Sequence, residues 1–258
     1  MNKQDYKDQI IWIIGASSGI GSALAHELSS RGAKLALSSR RKDELENLKV
    51  KLGEHHKVFA LDITDAETTL RTSQAIRASF GRIDRVVFLA AAYAPMKTDH
   101  LDLAMTKAML DVNLGGAFNV IHAMLPILKA QPEGHQKFRG QITLCGSVAG
   151  YMGLPGGQPY SATKAGIINL AESLYAECKS LVDIKLISPG FVRTALTDKN
   201  SFEMPMIIEP EQAAKAIADG LLSPHFEIHF PKKFTFLLKI LSLLPYSISL
   251  PIERKIRT

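Results

Sequence analysis

Short apolar runs alternate along the 258-residue chain with longer segments whose apolar residues recur at spacings of three and four. Uninterrupted apolar runs read as strands buried on both faces, and the periodic segments read as amphipathic helices. The runs predict strands at 10–14 (IIWII), 34–38 (KLALS), 57–61 (KVFAL), 84–90 (DRVVFLA), 140–145 (GQITLC), 183–188 (DIKLIS) and 226–230 (FEIHF). Helices are predicted over 19–31, 42–52, 65–80, 101–129, 159–181 and 209–221, the fourth as one long helix or two joined ones. Strand and helix in alternation predict an α/β fold, a doubly wound parallel sheet of about seven strands with helices on both faces. In such sheets ligands gather at the carboxyl ends of the strands. No repeat, low-complexity tract or linker interrupts the pattern, so residues 1–231 are expected to form a single domain, followed by an apolar and basic extension at 232–258.

Composition adds mainly exclusions. With 46% hydrophobic and 22% charged residues the chain suits an ordinary globular domain. The net charge of +6 comes from scattered Lys and Arg with no basic run interleaved with aromatics, so no nucleic-acid partner is expected. Cys145 and Cys178 lie far apart, and eight histidines, His55-His56 among them, form no ligand spacing. No metal site is expected, and a reducing cytoplasm is the natural compartment. The run IIWII is too short for the apolar core of a signal peptide and leads straight into GASSGIG, which makes it a strand.

That GASSGIG stretch (15–21) is the first chemical signal. Gly15, Gly19 and Gly21, with Ser17, Ser18 and Ile20 between them, follow the first strand and open the first helix. A backbone that turns tightly against a pyrophosphate has no room for side chains, and the helix N-terminus offers N–H groups and a positive dipole end. The plain alternative is a tight turn without ligand. After the second strand, where an acidic residue would bind a ribose 2′-hydroxyl, stand Ser39, Arg40 and Arg41. An arginine fork can clamp a 2′-phosphate that a carboxylate would repel, so NADP(H) is preferred over NAD(H). Solvated charges opening a surface helix are the alternative. Asp62 and Ile63, after the third strand, would lie beside the adenine.

Taken in order, GASSGIG (15–21), Asp62-Ile63, DVNLGGAFNV (111–120), GSVAG (146–150), YSATK (160–164) and PGFVRT (189–194) resemble the short-chain dehydrogenase/reductases in their single-domain form. The resemblance implies a Rossmann-type fold, a catalytic tetrad of Asn113, Ser147, Tyr160 and Lys164, and a dimer or tetramer of identical subunits. It also implies that Asn113, Tyr160 and Lys164 touch the cofactor and that the loop Pro189, Gly190, Val192, Thr194 holds the nicotinamide carboxamide. Two places depart from the pattern: Ile14 stands where the family has Thr, and FLAA (88–91) stands where it has NNAG, with Ala90 expected to touch the cofactor and Ala91 in place of the usual Gly.

Hydride transfer to a carbonyl develops charge on oxygen, which demands a proton and a donor together. Tyr160 could be the acid if its pKa is drawn down from about 10. Lys164, on the same helix face about 6 Å along the axis, supplies positive charge and a donor for the cofactor ribose. Ser147 can orient the substrate oxygen or serve only as a turn residue. Asn113 can hold a water that relays protons to Lys164, or it marks a helix kink.

Phe191, Phe202 and Met204, in a segment read as a substrate lid over about 191–209, together with Tyr151 and Leu154, suggest a pocket for an apolar carbonyl or alcohol. Ordinary packing of these side chains is the alternative. The tail is apolar over 234–244 and flanked by Lys232, Lys233, Arg254, Lys255 and Arg257. Lys239, Pro245 and Pro251 argue against a spanning helix. Membrane-surface contact is favoured, which places the protein in the cytoplasm or peripherally on the inner face of a membrane; a dimer arm and a cover over the pocket stay open. Two rivals to an enzyme remain, a silent dinucleotide-binding sensor or scaffold and a membrane-associated adaptor.

Overall fold

The computed structural model describes residues 5–134, 137–178, 181–200 and 202–255. Seven parallel strands form one sheet in the order β3-β2-β1-β4-β5-β6-β7. They are β1 (Ile10–Ile14), β2 (Lys34–Ser38), β3 (Lys57–Val58), β4 (Arg85–Phe88), β5 (Gly140–Cys145), β6 (Val182–Pro189) and β7 (Glu227–Phe230). Between and after them lie α1 (Gly19–Ser30), α2 (Lys42–Leu52), α3 (Ala66–Phe80), α4 (Leu103–Leu110), α5 (Gly116–Ala130), α6 (Tyr160–Cys178), α7 (Pro210–Leu222), α8 (Lys232–Ser242) and α9 (Tyr246–Lys255). The doubly wound parallel sheet expected from the apolar runs is present.

Alternation along β1 sorts its side chains between two layers. Ile11 and Ile13 enter a core with Leu24, Ala25 and Leu28 of α1 and Ala213, Ala214 and Ile217 of α7. Trp12 and Ile14 enter the opposite core with Val120 and Met124 of α5 and Ile167 and Ala171 of α6. Both faces are therefore buried, which is why the strands read as continuous apolar runs.

Most boundaries fall within two residues of expectation. The strand expected at 57–61 shrinks to Lys57–Val58, paired with β2 through Ala36 and Leu37 at the sheet edge, while the Phe59 and Leu61 amides still donate to the Leu37 and Ser39 carbonyls. The strand expected at 84–90 ends at Phe88. The helix expected at 159–181 runs from Tyr160 to Cys178, and residues 179–180 lie outside the described part. The segment expected at 101–129 is one continuous helix, Leu103–Ala130, with a π-helical turn at Asp111–Gly115. That helix is long and apolar enough to cross a membrane by length and composition, yet its α5 part buries Ala117, Val120, Met124 and Leu128 in the second core.

The chain runs outward from β1 to β2 and β3, then crosses back to β4 on the other side of β1. Loops at the carboxyl ends of β1 and β4 therefore diverge, and the opening between them is where a doubly wound sheet binds its ligand.

Candidate active site

At that opening lies a cleft of about 370 Å³. It is lined by Gly15, Ser17, Ser18, Gly19, Ile20, Gly21, Arg40, Arg41, Asp62, Ile63, Ala90, Ser147, Tyr160, Lys164, Pro189, Gly190, Val192 and Thr194. Every residue expected to touch a cofactor thus lines one cavity, with the exception of Asn113.

The glycine loop is shaped by close approach. Gly15 has φ +96°, and a Cβ there would sit 2.7 Å from the backbone nitrogen of Ala90; one on Gly21 would lie 2.1 Å from the Gly15 carbonyl oxygen. Neither position tolerates a side chain. Gly19 faces the Thr194 methyl, so the loop after β6 closes against the loop after β1. At the start of α1, Ser18 makes no side-chain cap and no acidic residue occupies the first turn. Its amide donors and positive dipole end are left for an anion.

Arg41 reaches over this loop and donates to Ser17 Oγ at 2.9 Å and Ser18 Oγ at 2.7 Å. The guanidinium therefore stands over the glycine loop, with Arg40 beside it in the lining. Across the cleft, Asp62 accepts from the Thr64 amide and hydroxyl, which fixes the turn after β3. The carbonyl of Ile63 accepts from Asn119 at 2.9 Å, and Gly116 lets α5 approach the Ile63 side chain. Asn119 escaped the sequence reading; it is a helix-face residue with no motif of its own.

Three of the four tetrad residues meet at the far end. Tyr160 opens α6, Ser147 follows β5, and Lys164 lies one turn beyond Tyr160 with its ammonium 5.5 Å from the phenol ring centre. Ser147 hydrogen-bonds the Tyr160 hydroxyl. Lys164 is almost wholly buried and donates to the Cys145 carbonyl at 2.7 Å. Burial pushes the Tyr160 phenol well above its ordinary range, and the Ser147 bond works against that rise. Burial likewise pushes the Lys164 ammonium down. The lowering of Tyr160 that acid catalysis calls for is therefore not supplied by the protein's own groups.

Asn113 behaves differently from either sequence reading alone. It sits in the π-helical turn, so the helix irregularity is real. Its carboxamide oxygen accepts from the Ala92 amide at 2.7 Å, and its nitrogen donates to the Ala92 carbonyl and to Thr163 Oγ1. Both ends are engaged, tying the loop after β4 to α6. That tie braces the strand end where FLAA has no asparagine of its own.

Of the expected substrate contacts, Ser147 and Tyr160 line the cleft, while Phe191, Phe202 and Tyr151 pack with one another or with α8, outside the cleft's lining. Phe191 packs edge-on against Phe202 at 5.8 Å and beside Phe234 of α8 at 5.5 Å. Tyr151 joins Phe191, Val148, Phe234 and Leu238 in a small apolar cluster, and its hydroxyl donates to Glu227. Met204 accepts from Asn200, and the Leu154 carbonyl accepts from the Gly157 amide. Tyr93, unmarked in the sequence, packs edge-on against Tyr160 at 4.9 Å and donates to Asn200. Cys145, read as a core residue, is both core and lining.

The tail folds back onto the domain. Phe234 and Leu238 of α8 pack on Val148 and Tyr151, Lys239 pairs with Glu227, and Thr235 bonds His229. Arg257 and the rest of 256–258 lie outside the described residues.

A family profile described as short chain dehydrogenase matches residues 9–204. An uncharacterized oxidoreductase of Myxococcus xanthus is 30% identical over 261 residues, covering 100% of both chains. Another of Staphylococcus epidermidis is 32% identical over 219 residues, 84% of this chain and 93% of its own. Among solved structures, a short-chain dehydrogenase from Streptomyces avermitilis has a TM-score of 0.82 at 20% identity, covering 97% of this chain and 98% of its own. A glucose/ribitol dehydrogenase-type protein from Brucella melitensis has a TM-score of 0.78 at 23% identity, covering 88% and 96%. At those identities the two structures are a likeness of fold.

Proposed function

The chain belongs to the short-chain dehydrogenase family, is an oxidoreductase that binds NAD(P), and we propose that it transfers hydride between NADPH and an apolar ketone or secondary alcohol. The observation that carries this reading is the convergence of Ser147, Tyr160 and Lys164 on the cleft that the glycine loop also lines.

The site suits a nicotinamide dinucleotide. The cradle at Gly15, Gly19 and Gly21 excludes side chains, the α1 N-terminus is uncapped, and Arg41 is aimed across Ser17 and Ser18. Arg40 and Arg41 favour the 2′-phosphate of NADP(H) over NAD(H). When bound, the nicotinamide supplies or accepts the hydride. Tyr160 gives the proton to the developing alkoxide in reduction and takes it back in oxidation. Ser147 positions the substrate oxygen beside it, Lys164 provides positive charge next to the phenol, and Asn113 holds the Ala92 loop and α6 in register. Pro189, Gly190, Val192 and Thr194, which line the same cleft, would hold the nicotinamide carboxamide.

The aromatic row Phe202, Phe191, Phe234 supports an apolar substrate. Exposed Phe118 on α5 and Tyr175 on α6 support association into a homodimer or homotetramer. Cys145 and Cys178 are free thiols, in keeping with a cytoplasmic setting.

The test is NADPH oxidation over a panel of aliphatic, aromatic and long-chain ketones, followed by absorbance. Tyr160→Phe should lower kcat by about 10²-fold or more while leaving NADPH binding intact. Equal turnover by the variant removes Tyr160 from the chemistry. NADPH binding without turnover of any ketone or alcohol favours the sensor reading.

A further inference from the structure

Among the described residues, eight of the sixteen exposed large hydrophobic side chains lie from Phe236 to Ile252. α8 divides them cleanly: Phe234, Thr235, Leu238 and Leu241 point into the protein, while Phe236, Leu237 and Ile240 are 55%, 61% and 60% exposed. Leu243 and Tyr246, at 84% and 79%, continue that apolar surface into α9. The inward face holds α8 in place, since burying large apolar side chains removes them from water. The outward face therefore stays apolar in the folded protein, and an exposed patch of this kind marks an interaction site.

Its charge pattern selects the partner. Along the chain, exposed Lys232 and Lys233 precede the apolar stretch and exposed Arg254 follows it. The single carboxylate between them, Glu253, is buried, and Lys239 is already paired with Glu227. The exposed charges carried by these two helices are thus all basic and flank an apolar stretch with an aromatic on each helix, the pattern of helices that lie in a lipid headgroup layer. A second copy of the same face would bring only basic charges, with no exposed carboxylate to pair them.

We propose that the outer face of α8 and α9 docks on an anionic lipid bilayer. The inner face of the same α8 packs on Val148, next to Ser147, and on Phe191. One helix therefore separates the docking surface from the substrate side of the cleft, and the apolar substrate enters from the bilayer. This second step rests on the carbonyl-reductase reading.

Full-length protein is sedimented with phosphatidylcholine vesicles and with vesicles containing one-third phosphatidylglycerol. Wild type is expected to sediment with the anionic vesicles only and to be released by salt. The Leu237→Asp, Ile240→Asp double variant and the Lys233→Glu, Arg254→Glu double variant should each lose about tenfold or more of that binding. Absence of wild-type binding, or unchanged binding by both variants, overturns docking. So does conversion of an oligomer to monomer by Leu237→Asp, Ile240→Asp, read by light scattering, with vesicle binding retained. Turnover of a short water-soluble ketone without lipid separates the two readings: its absence in wild type sinks the enzyme and leaves docking standing. With that turnover equal in wild type and variants, a long-chain ketone held in vesicles should show a higher apparent KM for the outer-face variants. Equal KM values overturn delivery from the bilayer.

Discussion

Lys164 donates its ammonium to the carbonyl oxygen of Cys145 at 2.7 Å, so the residue after Tyr160 by one helical turn is anchored to the end of β5. The bond holds a positive charge at a fixed distance from the phenol, in surroundings that push the ammonium down from its ordinary pKa by burial. A lysine lowered in the folded state releases its proton earlier than in the unfolded chain. Between the two pKa values the unfolded chain binds more protons, so the stability contribution rises with pH.

Lys164→Met should therefore lower turnover by about 10²-fold or more and remove that pH slope. In urea unfolding, wild type should gain stability relative to the variant as pH climbs from 7 toward about 10. A difference that stays flat across that range would sink the assignment of a buried charge.

Ser147→Ala removes the one bond that opposes the rise of Tyr160. Without it the phenolate is less stabilised and the pKa moves further up. In secondary alcohol oxidation the rising limb of kcat/KM against pH should shift to higher pH, with kcat reduced by about 10²-fold. A limb that does not move means Tyr160 is not the group being titrated.

Arg41→Ala removes the guanidinium above Ser17 and Ser18. KM for NADPH should rise by about tenfold or more, and KM for NADH should change by less than about twofold. Equal losses for both cofactors would assign Arg41 to loop shape and not to the 2′-phosphate.

His229 is buried between β7 and α8, where burial, then Lys239 and Lys232, lower its pKa from 6.5 to about 4 against the opposing charge of Glu227. Because the folded value is the lower one, the unfolded chain takes the proton first as pH falls. Wild type should lose up to about 3 kcal/mol of stability between the two values, at 1.36 kcal/mol per pH unit. His229→Asn should lack this acid dependence when unfolding is followed from pH 7 to about 4. Parallel curves for the two proteins would contradict the buried neutral histidine.

Much of the cleft's lining was legible because a glycine-rich turn and a Tyr–Lys pair one helical turn apart are local sequence patterns. GASSGIG needs glycine where Ala90 and Gly15 backbones touch, and the spacing of Tyr160 and Lys164 follows from a single helical turn. Strand identity was equally local, since burial on both faces leaves continuous apolar runs such as IIWII. Strand extent was not local: β3 and β7 each have one neighbour, yet β3 keeps two residues and β7 four.

What the sequence by itself determined, then, is the succession of strands and helices, the glycine turn after β1, and the residue types able to move a proton. Each depends on contacts within a turn or two of the chain. Only the tertiary structure decided that Asn113 braces Ala92 and Thr163, that Tyr93 packs on Tyr160, and that Arg41 lies over the serines of the glycine loop. It also decided that α8 shows one apolar face to Val148 and another to solvent. These relations join residues from 20 or so to more than 80 positions apart, brought together by crossovers between strands. No local pattern encodes a contact whose partner is chosen by where a distant element packs.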